Sequence, residues 1–277
     1  MDSDSPARRG RLHGFSINRL IPNILTLAAL CSGLTAIRFA LQGEMRLAVI
    51  AIIVAAIFDA LDGRVARRLG VTSRFGAELD SLSDFLCFGV TPALVLYLAS
   101  LKDGGALGWV VTLMFPICSA LRLARFNTAL VSDTPPPAWT GSYFTGVPAP
   151  AGALLALIPL MVSFEIEAAW PRHALVVGAV LVIVGGLMVS RIPTYSFKKG
   201  RVPRHLVLPS LLGAALVMGV LASAPWIAGS LIGLVYVSLI PFSWIAYRRQ
   251  AAQDRQAAAS GAVVSLRSVD SGPSTPA

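Results

Sequence analysis

Charged residues are scarce in this sequence. Only 13% of its 277 residues are Asp, Glu, Lys or Arg, whereas 55% are hydrophobic. A soluble domain usually carries about 25% charged residues, so the deficit excludes an ordinary soluble protein and indicates a chain that lies mostly in lipid. Aromatic residues are also few, at 8%. The apolar runs are far longer than the ~10-residue strands of a membrane barrel, which excludes a porin-like fold.

Cysteine and histidine are scarce as well, with 3 residues of each type. Cys31, Cys87 and Cys118 lie inside apolar stretches without the spacing of metal ligands. This placement predicts small buried side chains rather than disulfides or a redox centre. The histidines lie at predicted membrane edges, and none is close to a carboxylate motif. We therefore expect no catalytic histidine.

Long apolar runs dominate the rest of the sequence. Eight of them, each of about 17–24 residues, are long enough to cross ~30 Å of hydrocarbon as a helix. The sequence therefore predicts an all-α integral membrane protein with about eight transmembrane helices. These lie near residues 21–41, 45–68, 78–100, 106–128, 148–165, 173–190, 205–222 and 226–246.

Polar segments flank these runs. We expect residues 1–12 to form a flexible basic arm, residues 13–249 the membrane domain, and residues 250–277 a disordered tail rich in Ala, Ser and Gln. The basic stretch from Arg8 to Arg19 is interleaved with apolar side chains. This pattern predicts a short amphipathic helix at the membrane interface, before the first transmembrane helix.

The basic residues determine the expected orientation. The net charge is +9, and Lys and Arg gather in the cytoplasmic loops of membrane proteins. The excess therefore predicts contact with anionic lipid headgroups rather than with nucleic acid. If the N-terminus is cytoplasmic, all but four of the 23 basic residues lie on the cytoplasmic side. We accordingly expect both termini in the cytoplasm.

Acidic residues are few but concentrated. Five of the 14 acidic residues lie in the window that joins the second and third runs, namely Asp59, Asp62, Glu78, Asp80 and Asp84. The first two aspartates are three residues apart and the last two are four apart, so each pair shares one face of a helix. A short connection makes the two helices antiparallel neighbours. The two pairs are therefore expected to face each other near the cytoplasmic surface.

Such a group of carboxylates predicts a metal centre. Four carboxylates at close range repel each other unless they are protonated or bind cations. Oxygen ligands without a nearby histidine favour Mg²⁺, Mn²⁺ or Ca²⁺ over zinc. Four acids suit two divalent cations, which can hold a diphosphate and neutralise its developing charge. Gly63 and Gly76 lie beside the acids, where they allow a substrate or a neighbouring backbone to approach closely.

The acidic window also resembles the signature of a known enzyme family. The pattern is Asp59-x2-Asp62-Gly63-x2-Ala66-Arg67-x8-Gly76-x3-Asp80-x3-Asp84. It is similar at every fixed position to the signature of the CDP-alcohol phosphatidyltransferases. The resemblance implies a core of six membrane helices, to which this chain adds two, and a homodimer whose active site opens to the cytoplasm.

The resemblance also implies individual roles for these residues. Asp59, Asp62 and Asp80 would bind two divalent cations, Mg²⁺ or Mn²⁺, with Ca²⁺ as an alternative. Asp84 would contact the metals and act as the general base on the acceptor hydroxyl. The CDP moiety would be held by Asp62 together with Gly63, Ala66 and Arg67, and Gly76 is assigned to the same lipid-binding set.

Segments of the wider sequence are similar to the bacterial membrane-type phosphatidylserine synthases. They are PNILTL at 22–27, SRFGAELDSLSDFLCFGVTPA at 73–93, RLARFN at 122–127, FTGVPAPAGA at 144–153 and SRIPTYSFK at 190–198. This resemblance implies CDP-diacylglycerol as the donor and L-serine as the acceptor. It also implies a multi-pass protein of the bacterial inner (cytoplasmic) membrane.

Polar residues outside the window are further candidates for substrate contacts. Arg122 and Arg125 either pair with the carboxylate of serine or mark the membrane boundary, and Asn127 could add a hydrogen bond. Either Arg191 or Lys198 could reach the diphosphate or serine, although that basic cluster also suits lipid headgroups. Two polar residues of the first run either contact the nucleotide or pack between helices, namely Asn23 and Thr26.

Two other functions are compatible with parts of this pattern. An enzyme of the same family could use glycerol 3-phosphate, an inositol compound or choline as the acceptor. A cation-coupled transporter would also carry carboxylates in its membrane helices. However, the acids cluster at one helix junction rather than near the bilayer midplane, and no inverted repeat is evident.

Overall fold

The protein is helical over nearly all of the chain that the structure describes. The computed structural model describes residues 20–71, 73–130, 143–166, 168–190, 192–195 and 207–270. The α-helices are α1 Leu20–Leu41, α2 Met45–Leu69, α3 Arg74–Asp84, α4 Thr91–Leu96, α5 Gly105–Leu130, α6 Ala149–Ala156, α7 Ile158–Val162, α8 Ala174–Val189, α9 Val207–Ser223 and α10 Pro225–Asp270.

Shorter helical segments connect several of these helices. A π-helix, Phe85–Val90, joins α3 to α4, and a second one, Tyr97–Leu101, follows α4. Two 3₁₀ turns are formed by Lys102–Gly104 and Trp170–Arg172. Gly105 then adopts φ 59°, a left-handed conformation that favours glycine. Because of this turn, α5 packs back along α4 and the first π-helix.

The prediction of a helical membrane protein is confirmed, although the count of eight crossings is not. Within the described residues, three helical stretches are long and apolar enough to cross a membrane, namely Leu20–Leu41, Arg74–Ala129 and Pro225–Arg249. Large apolar side chains such as Leu34, Ile57 and Ile117 are about half exposed on the outer faces of their helices. Such apolar surface suits contact with lipid rather than with water.

Small residues form the contact between α1 and α2. Ala29 and Ala36 of α1 and Ala48 and Ala55 of α2 are at most 1% exposed. Small side chains allow two helix backbones to approach closely, and this is the usual way in which membrane helices associate. The close packing brings the C-terminal half of α2, which carries the first acidic pair, against α1.

Two segments differ from the sequence predictions. Tyr143–Thr145 and Pro193–Tyr195 form a short antiparallel strand pair, with Phe144 opposite Thr194, which the apolar pattern does not predict. Helix α10 continues to Asp270, into the segment 250–277 for which the sequence predicts a disordered tail. The arm at 1–12 and the interfacial helix before residue 20 lie outside the described residues.

Candidate active site

A tight turn brings the two acidic pairs together. Gly70 ends α2 with φ 64°, a left-handed conformation that glycine adopts without steric cost. Ser73 then begins α3 as its N-cap, because its Oγ accepts a hydrogen bond of 3.0 Å from the Gly76 amide. The connection between the acidic helices is therefore only a few residues long, and α3 starts beside the end of α2.

Three of the predicted metal ligands lie in one group. Carboxylate oxygens of Asp59, Asp62 and Asp80 all lie within 4.8 Å of one another. Asp62 is only 5% exposed, although it carries an ionisable group. A buried carboxylate is costly unless a hydrogen bond, a counter-ion or a metal compensates it. Oxygen ligands at this separation fit a hard divalent cation such as Mg²⁺ or Ca²⁺.

Asp84 lies next to this group. Its carboxyl group is close enough to that of Asp59 for the two to share a hydrogen bond. Its Oδ1 atom is buried and, within the described part of the chain, has no hydrogen-bond partner. Two carboxylates this close repel each other unless a proton or a cation lies between them. The unpartnered oxygen therefore fits the binding of a cation or of a substrate hydroxyl.

A cavity of about 180 Å³ opens beside the acids. Asp62 and Asp80 line one side of it. All seven residues that the sequence suggested for CDP-diacylglycerol line the same cavity, namely Asn23, Thr26, Asp62, Gly63, Ala66, Arg67 and Gly76. The structure thus brings together residues from α1, α2 and α3 that lie up to about 50 positions apart in the sequence.

The glycines of this cavity lie where side chains would collide with polar groups. A Cβ atom on Gly76 would lie 3.0 Å from Asn23 Oδ1 and 3.1 Å from Ser73 Oγ. A Cβ atom on Gly63 would lie 3.3 Å from a guanidinium nitrogen of Arg67. Polar side chains rather than a neighbouring backbone approach both glycines in the described structure, and the approach of a substrate stays a prediction.

Thr26 makes a contact that the sequence did not indicate. Its hydroxyl lies 2.6 Å from Asp62 Oδ2, to which it donates, and 3.1 Å from the carbonyl oxygen of Pro22. The Thr26 side chain is 4% exposed. Thr26 therefore orients an acidic side chain of the site. The nearby Asn23 makes a different contact, because its Oδ1 atom lies beside Gly76.

Two of the three polar candidates at the end of α5 form hydrogen bonds with other helices. Arg125 Nη1 donates a hydrogen bond of 2.7 Å to the carbonyl oxygen of Val189, the last residue of α8. Asn127 Nδ2 donates to Ser81 Oγ of α3 at 3.0 Å. Both residues thus connect helices. Arg191 and Lys198 lie outside the described residues.

Arg122 differs from its neighbours. It lies within electrostatic range of Asp84 and of Tyr236 in α10. Its Nε atom is buried and has no hydrogen-bond partner among the described residues. A buried guanidinium nitrogen without a partner is uncommon. Arg122 therefore has a buried donor that a bound anion could satisfy.

Sequence reasoning missed other residues of the cavity. Val71, Ser73 and Ala77 line it, together with Pro22. For Ser73 a signal was available, because a serine three positions before the amide that it caps is a common helix start. Tyr236, which lies near Arg122 outside this cavity, could not be found in this way. The two residues are distant in the sequence and belong to different helices.

Comparison with known proteins identifies the family. The family model described as CDP-alcohol phosphatidyltransferase matches residues 19–188. The chain belongs to this family. The match includes every acidic residue of the site and the helices from α1 to almost the end of α8, whereas α9 and α10 follow it. The family membership predicted from the acidic window is thus confirmed.

Individual CDP-alcohol phosphatidyltransferases are similar over most of the chain. A CDP-diacylglycerol–serine O-phosphatidyltransferase of Mycobacterium leprae (strain TN) is 39% identical over 242 residues, which cover 86% of this chain and 80% of the relative. The protein of that name from Helicobacter pylori (strain ATCC 700392 / 26695) is 34% identical over 180 residues, 65% of this chain and 73% of the relative.

A relative with a different lipid name is also similar. An archaetidylserine synthase of Methanothermobacter thermautotrophicus is 32% identical over 176 residues, which cover 62% of this chain and 68% of the relative. The predicted likeness to phosphatidylserine synthases is confirmed by these names. The alternative of a cation-coupled transporter finds no support in the family match.

Proposed function

We propose that this family member transfers the phosphatidyl group of CDP-diacylglycerol to the hydroxyl of L-serine and releases CMP. The observation that carries the proposal is that two of the three grouped aspartates, Asp62 and Asp80, line one cavity. The names of the relatives support serine as the acceptor, because three proteins similar over most of the chain are named as serine-using synthases.

The cavity suits the CDP part of the donor. Its small residues, Gly63, Ala66 and Gly76, leave room for a flat or extended group against the helix backbones. Arg67 supplies a guanidinium, which can hold two phosphate oxygens at once. The apolar outer faces of the helices would accommodate the acyl chains of a lipid donor. In this proposal Asn23 contacts the nucleotide and Thr26 orients Asp62.

The aspartates suit two divalent cations, Mg²⁺ or Mn²⁺. Asp59, Asp62 and Asp80 would hold them, with Asp84 as a further ligand. When bound, the cations would polarise the diphosphate and neutralise the charge that develops on the leaving phosphate. The protein's own contribution is to hold the carboxylates at fixed distances, through the short α2–α3 turn and the hydrogen bond from Thr26.

Asp84 would act as the general base. The serine oxygen attacks the phosphorus attached to diacylglycerol, the bond from this phosphorus to the CMP oxygen breaks, and the hydroxyl proton passes to a carboxylate oxygen. Asp84 Oδ1 is buried without a partner in the described structure, so it can accept this proton. The carboxylate lies beside the metal-binding group, where a reacting hydroxyl must also lie.

Arg122 would bind the carboxylate of serine. It lies near Asp84, so an acceptor held by its guanidinium presents its hydroxyl to the base. A guanidinium and a carboxylate form a bidentate pair, which also fixes the orientation of the acceptor. Arg125 and Asn127 would support this pocket indirectly, because they hold α8 and α3 against α5.

The remaining proposals concern location and assembly. We propose residues 13–249 as the membrane domain of a homodimer in the bacterial inner membrane, with both termini and the active site on the cytoplasmic side. The clustering of basic residues supports this orientation, since Arg64, Arg67, Arg68 and Arg74 surround the acidic turn.

An acceptor panel tests the proposed function. Purified protein in lipid nanodiscs receives CDP-diacylglycerol and Mn²⁺ or Mg²⁺ with L-serine, glycerol 3-phosphate, myo-inositol or choline. Release of CMP and the mass of the lipid product are measured. We expect CMP release and phosphatidylserine only with L-serine. Stimulation by another acceptor alone would contradict serine but not the reaction type, and no CMP release with any acceptor would contradict both.

A further inference from the structure

A row of buried donors connects the segment after the acidic site to α1. The row consists of Ser83, Cys87 and Thr91, each at most 3% exposed. Each side chain donates to a backbone carbonyl of α1. The pairs are Ser83 Oγ to Thr26 O at 3.4 Å, Cys87 Sγ to Ala29 O at 3.3 Å and Thr91 Oγ1 to Gly33 O at 3.4 Å. We refer to these three contacts as the carbonyl ladder.

The hydroxyl groups of the ladder donate to a different helix, which is unusual for Ser and Thr in helices. Serine and threonine in a helix commonly donate to the carbonyl four residues earlier in the same helix. Ser81, Thr35 and Thr112 of this chain do so. Ser83 and Thr91 instead reach a different helix. The hydroxyl bonds are long, so each contributes little alone, and their effect lies in fixing the position of one helix along the other.

The π-helix explains why the three donors lie in one row. In an α-helix, residues spaced by four drift about 40° around the axis at each step. The π-helix Phe85–Val90 contains Cys87 and lies between the other two donors. Its wider turn holds more residues per turn, which offsets the drift. The three side chains consequently face α1 together.

Gly33 allows the two backbones to approach. A Cβ atom at this position would lie 2.6 Å from Cys87 Sγ and 3.3 Å from Cys87 Cα. The second distance involves backbone, which cannot move aside as a flexible side chain can. Gly33 therefore permits the contact distance on which the ladder depends, and its carbonyl is also the acceptor for Thr91.

The ladder leads directly to both acidic pairs. Ser83 precedes Asp84 in the chain, and its hydroxyl donates to the carbonyl of Thr26. The Thr26 hydroxyl in turn donates to Asp62. These two hydrogen bonds connect α3 to α1 and α1 to α2. They provide a second link between the acidic pairs, in addition to the turn at Gly70.

We propose that Ser83, Cys87 and Thr91 are positioning residues that set the separation between the acidic pairs on α2 and α3 and thereby tune the affinity of the site for divalent cations. The proposal rests on the metal centre of the proposed function. The first π-helix then contributes to the metal site indirectly. The extra residue in its turn aligns the three donors that hold α3 against α1.

Metal affinity, measured without substrate, tests the proposal. The protein in nanodiscs is titrated with Mn²⁺, and free Mn²⁺ is followed by electron paramagnetic resonance, in the wild type, Ser83→Ala, Thr91→Val and Thr91→Ser. Outer groups that orient metal ligands typically change affinity 10- to 100-fold. We expect about a 10-fold loss in Ser83→Ala and Thr91→Val, and a change of less than about twofold in Thr91→Ser, which keeps the hydroxyl.

Thr112→Val is the matched control. Thr112 is as buried as the ladder residues, at 2% exposure, but its hydroxyl donates to Gly108 within α5. The Thr112→Val substitution should therefore leave the Mn²⁺ affinity unchanged, even if it lowers the unfolding temperature. Equal Mn²⁺ affinity in the wild type, Ser83→Ala and Thr91→Val would overturn the ladder proposal, as would an equal loss in Thr112→Val.

A second pair of variants tests the same proposal if Thr91→Val does not fold. Gly33→Ala should weaken Mn²⁺ binding, because the added methyl group displaces Cys87. Cys87→Ala removes the thiol donor of the ladder and should also weaken Mn²⁺ binding. Gly186→Ala is the control for Gly33→Ala, because a Cβ atom there meets no atom of the described structure within 4 Å. No effect of Gly33→Ala would count against the ladder. A wild type that binds no Mn²⁺ would contradict the metal centre itself, whereas the choice of acceptor has no influence on this readout.

Discussion

The hydroxyl of Thr26 in α1 donates a 2.6 Å hydrogen bond to Asp62 Oδ2 in α2. Asp62 belongs to the acidic group and lines the cavity, and its carboxylate is almost completely buried. A hydrogen bond to one carboxylate oxygen leaves the other free and fixes its direction. Helix α1, the first in the described part of the chain, carries none of the acids of the site, yet it determines how one of them faces the site.

Removal of this hydroxyl should weaken metal binding. We expect Thr26→Val to reduce Mn²⁺ affinity about 10-fold, because Asp62 loses the donor that orients it, and Thr26→Ser to retain most of the affinity. Thr35→Val is the control, since Thr35 also lies in α1 but donates to Cys31 O within its own helix. A titration of Mn²⁺ without substrates checks this, and unaltered affinity in Thr26→Val would show that Asp62 needs no such partner.

Replacement of the proposed base should abolish turnover. We expect Asp84→Asn to lower kcat by about 10²–10⁴-fold, the range in which a general base contributes, while binding of CDP-diacylglycerol is largely retained. CMP release measures the first quantity, and binding of a radiolabelled donor measures the second. Mn²⁺ affinity is measured in parallel, because Asp84 is also proposed as a metal ligand.

Glu78→Gln is the control for this substitution. Glu78 lies in the same helix and has the same charge, but it belongs neither to the acidic group nor to the cavity wall. Its replacement should leave kcat within about twofold of the wild type. Near-normal turnover in Asp84→Asn, with metal bound, would mean that another group accepts the proton.

A methyl group at Gly76 should impair donor binding. The Cβ atom of Gly76→Ala would lie 3.0 Å from Asn23 Oδ1, so the Asn23 side chain at the cavity wall must move by a few tenths of an ångström. We expect the KM for CDP-diacylglycerol to rise about 10-fold, with a smaller change in the KM for serine. Gly186→Ala is the control, because a Cβ atom there meets no atom of the described structure within 4 Å. Equal KM values in the two variants would argue against this cavity as the donor site.

The two arginines of α5 should respond differently to substitution. Arg122→Gln removes the proposed partner of the serine carboxylate, so we expect the KM for serine to rise at least about 10-fold with little change in the KM for CDP-diacylglycerol. Arg125→Gln removes the hydrogen bond to Val189 O at the end of α8, so we expect a lower unfolding temperature instead.

Steady-state kinetics and thermal unfolding in nanodiscs distinguish these outcomes. The assignment of the acceptor carboxylate to Arg122 would be wrong if Arg122→Gln changed only the unfolding temperature. It would also be wrong if Arg125→Gln alone raised the KM for serine. Each variant thus serves as the control for the other, because both remove one guanidinium from the same end of α5.

Local patterns in the sequence predicted that the chain is helical and that its aspartates lie close together, but they did not predict how many helices are long enough to cross the membrane. Apolar runs predict helices because a backbone in lipid must satisfy its hydrogen bonds internally. The spacing of Asp59, Asp62, Asp80 and Asp84 predicts a facing arrangement because helical periodicity and a short turn leave little freedom.

The sequence by itself therefore determined the membrane class, the family and the acids of the site, since these depend on composition and on residues within 26 consecutive positions. Only the tertiary structure decided which polar residues of α1 and α5 lie next to which acidic side chain. Thr26 contacts Asp62 across 36 positions, and Ser83 contacts Thr26 across 57. Such contacts depend on how α1 is placed against α2 and α3, which is set by small-residue packing and by the π-helix. No short-range pattern in the sequence encodes that placement.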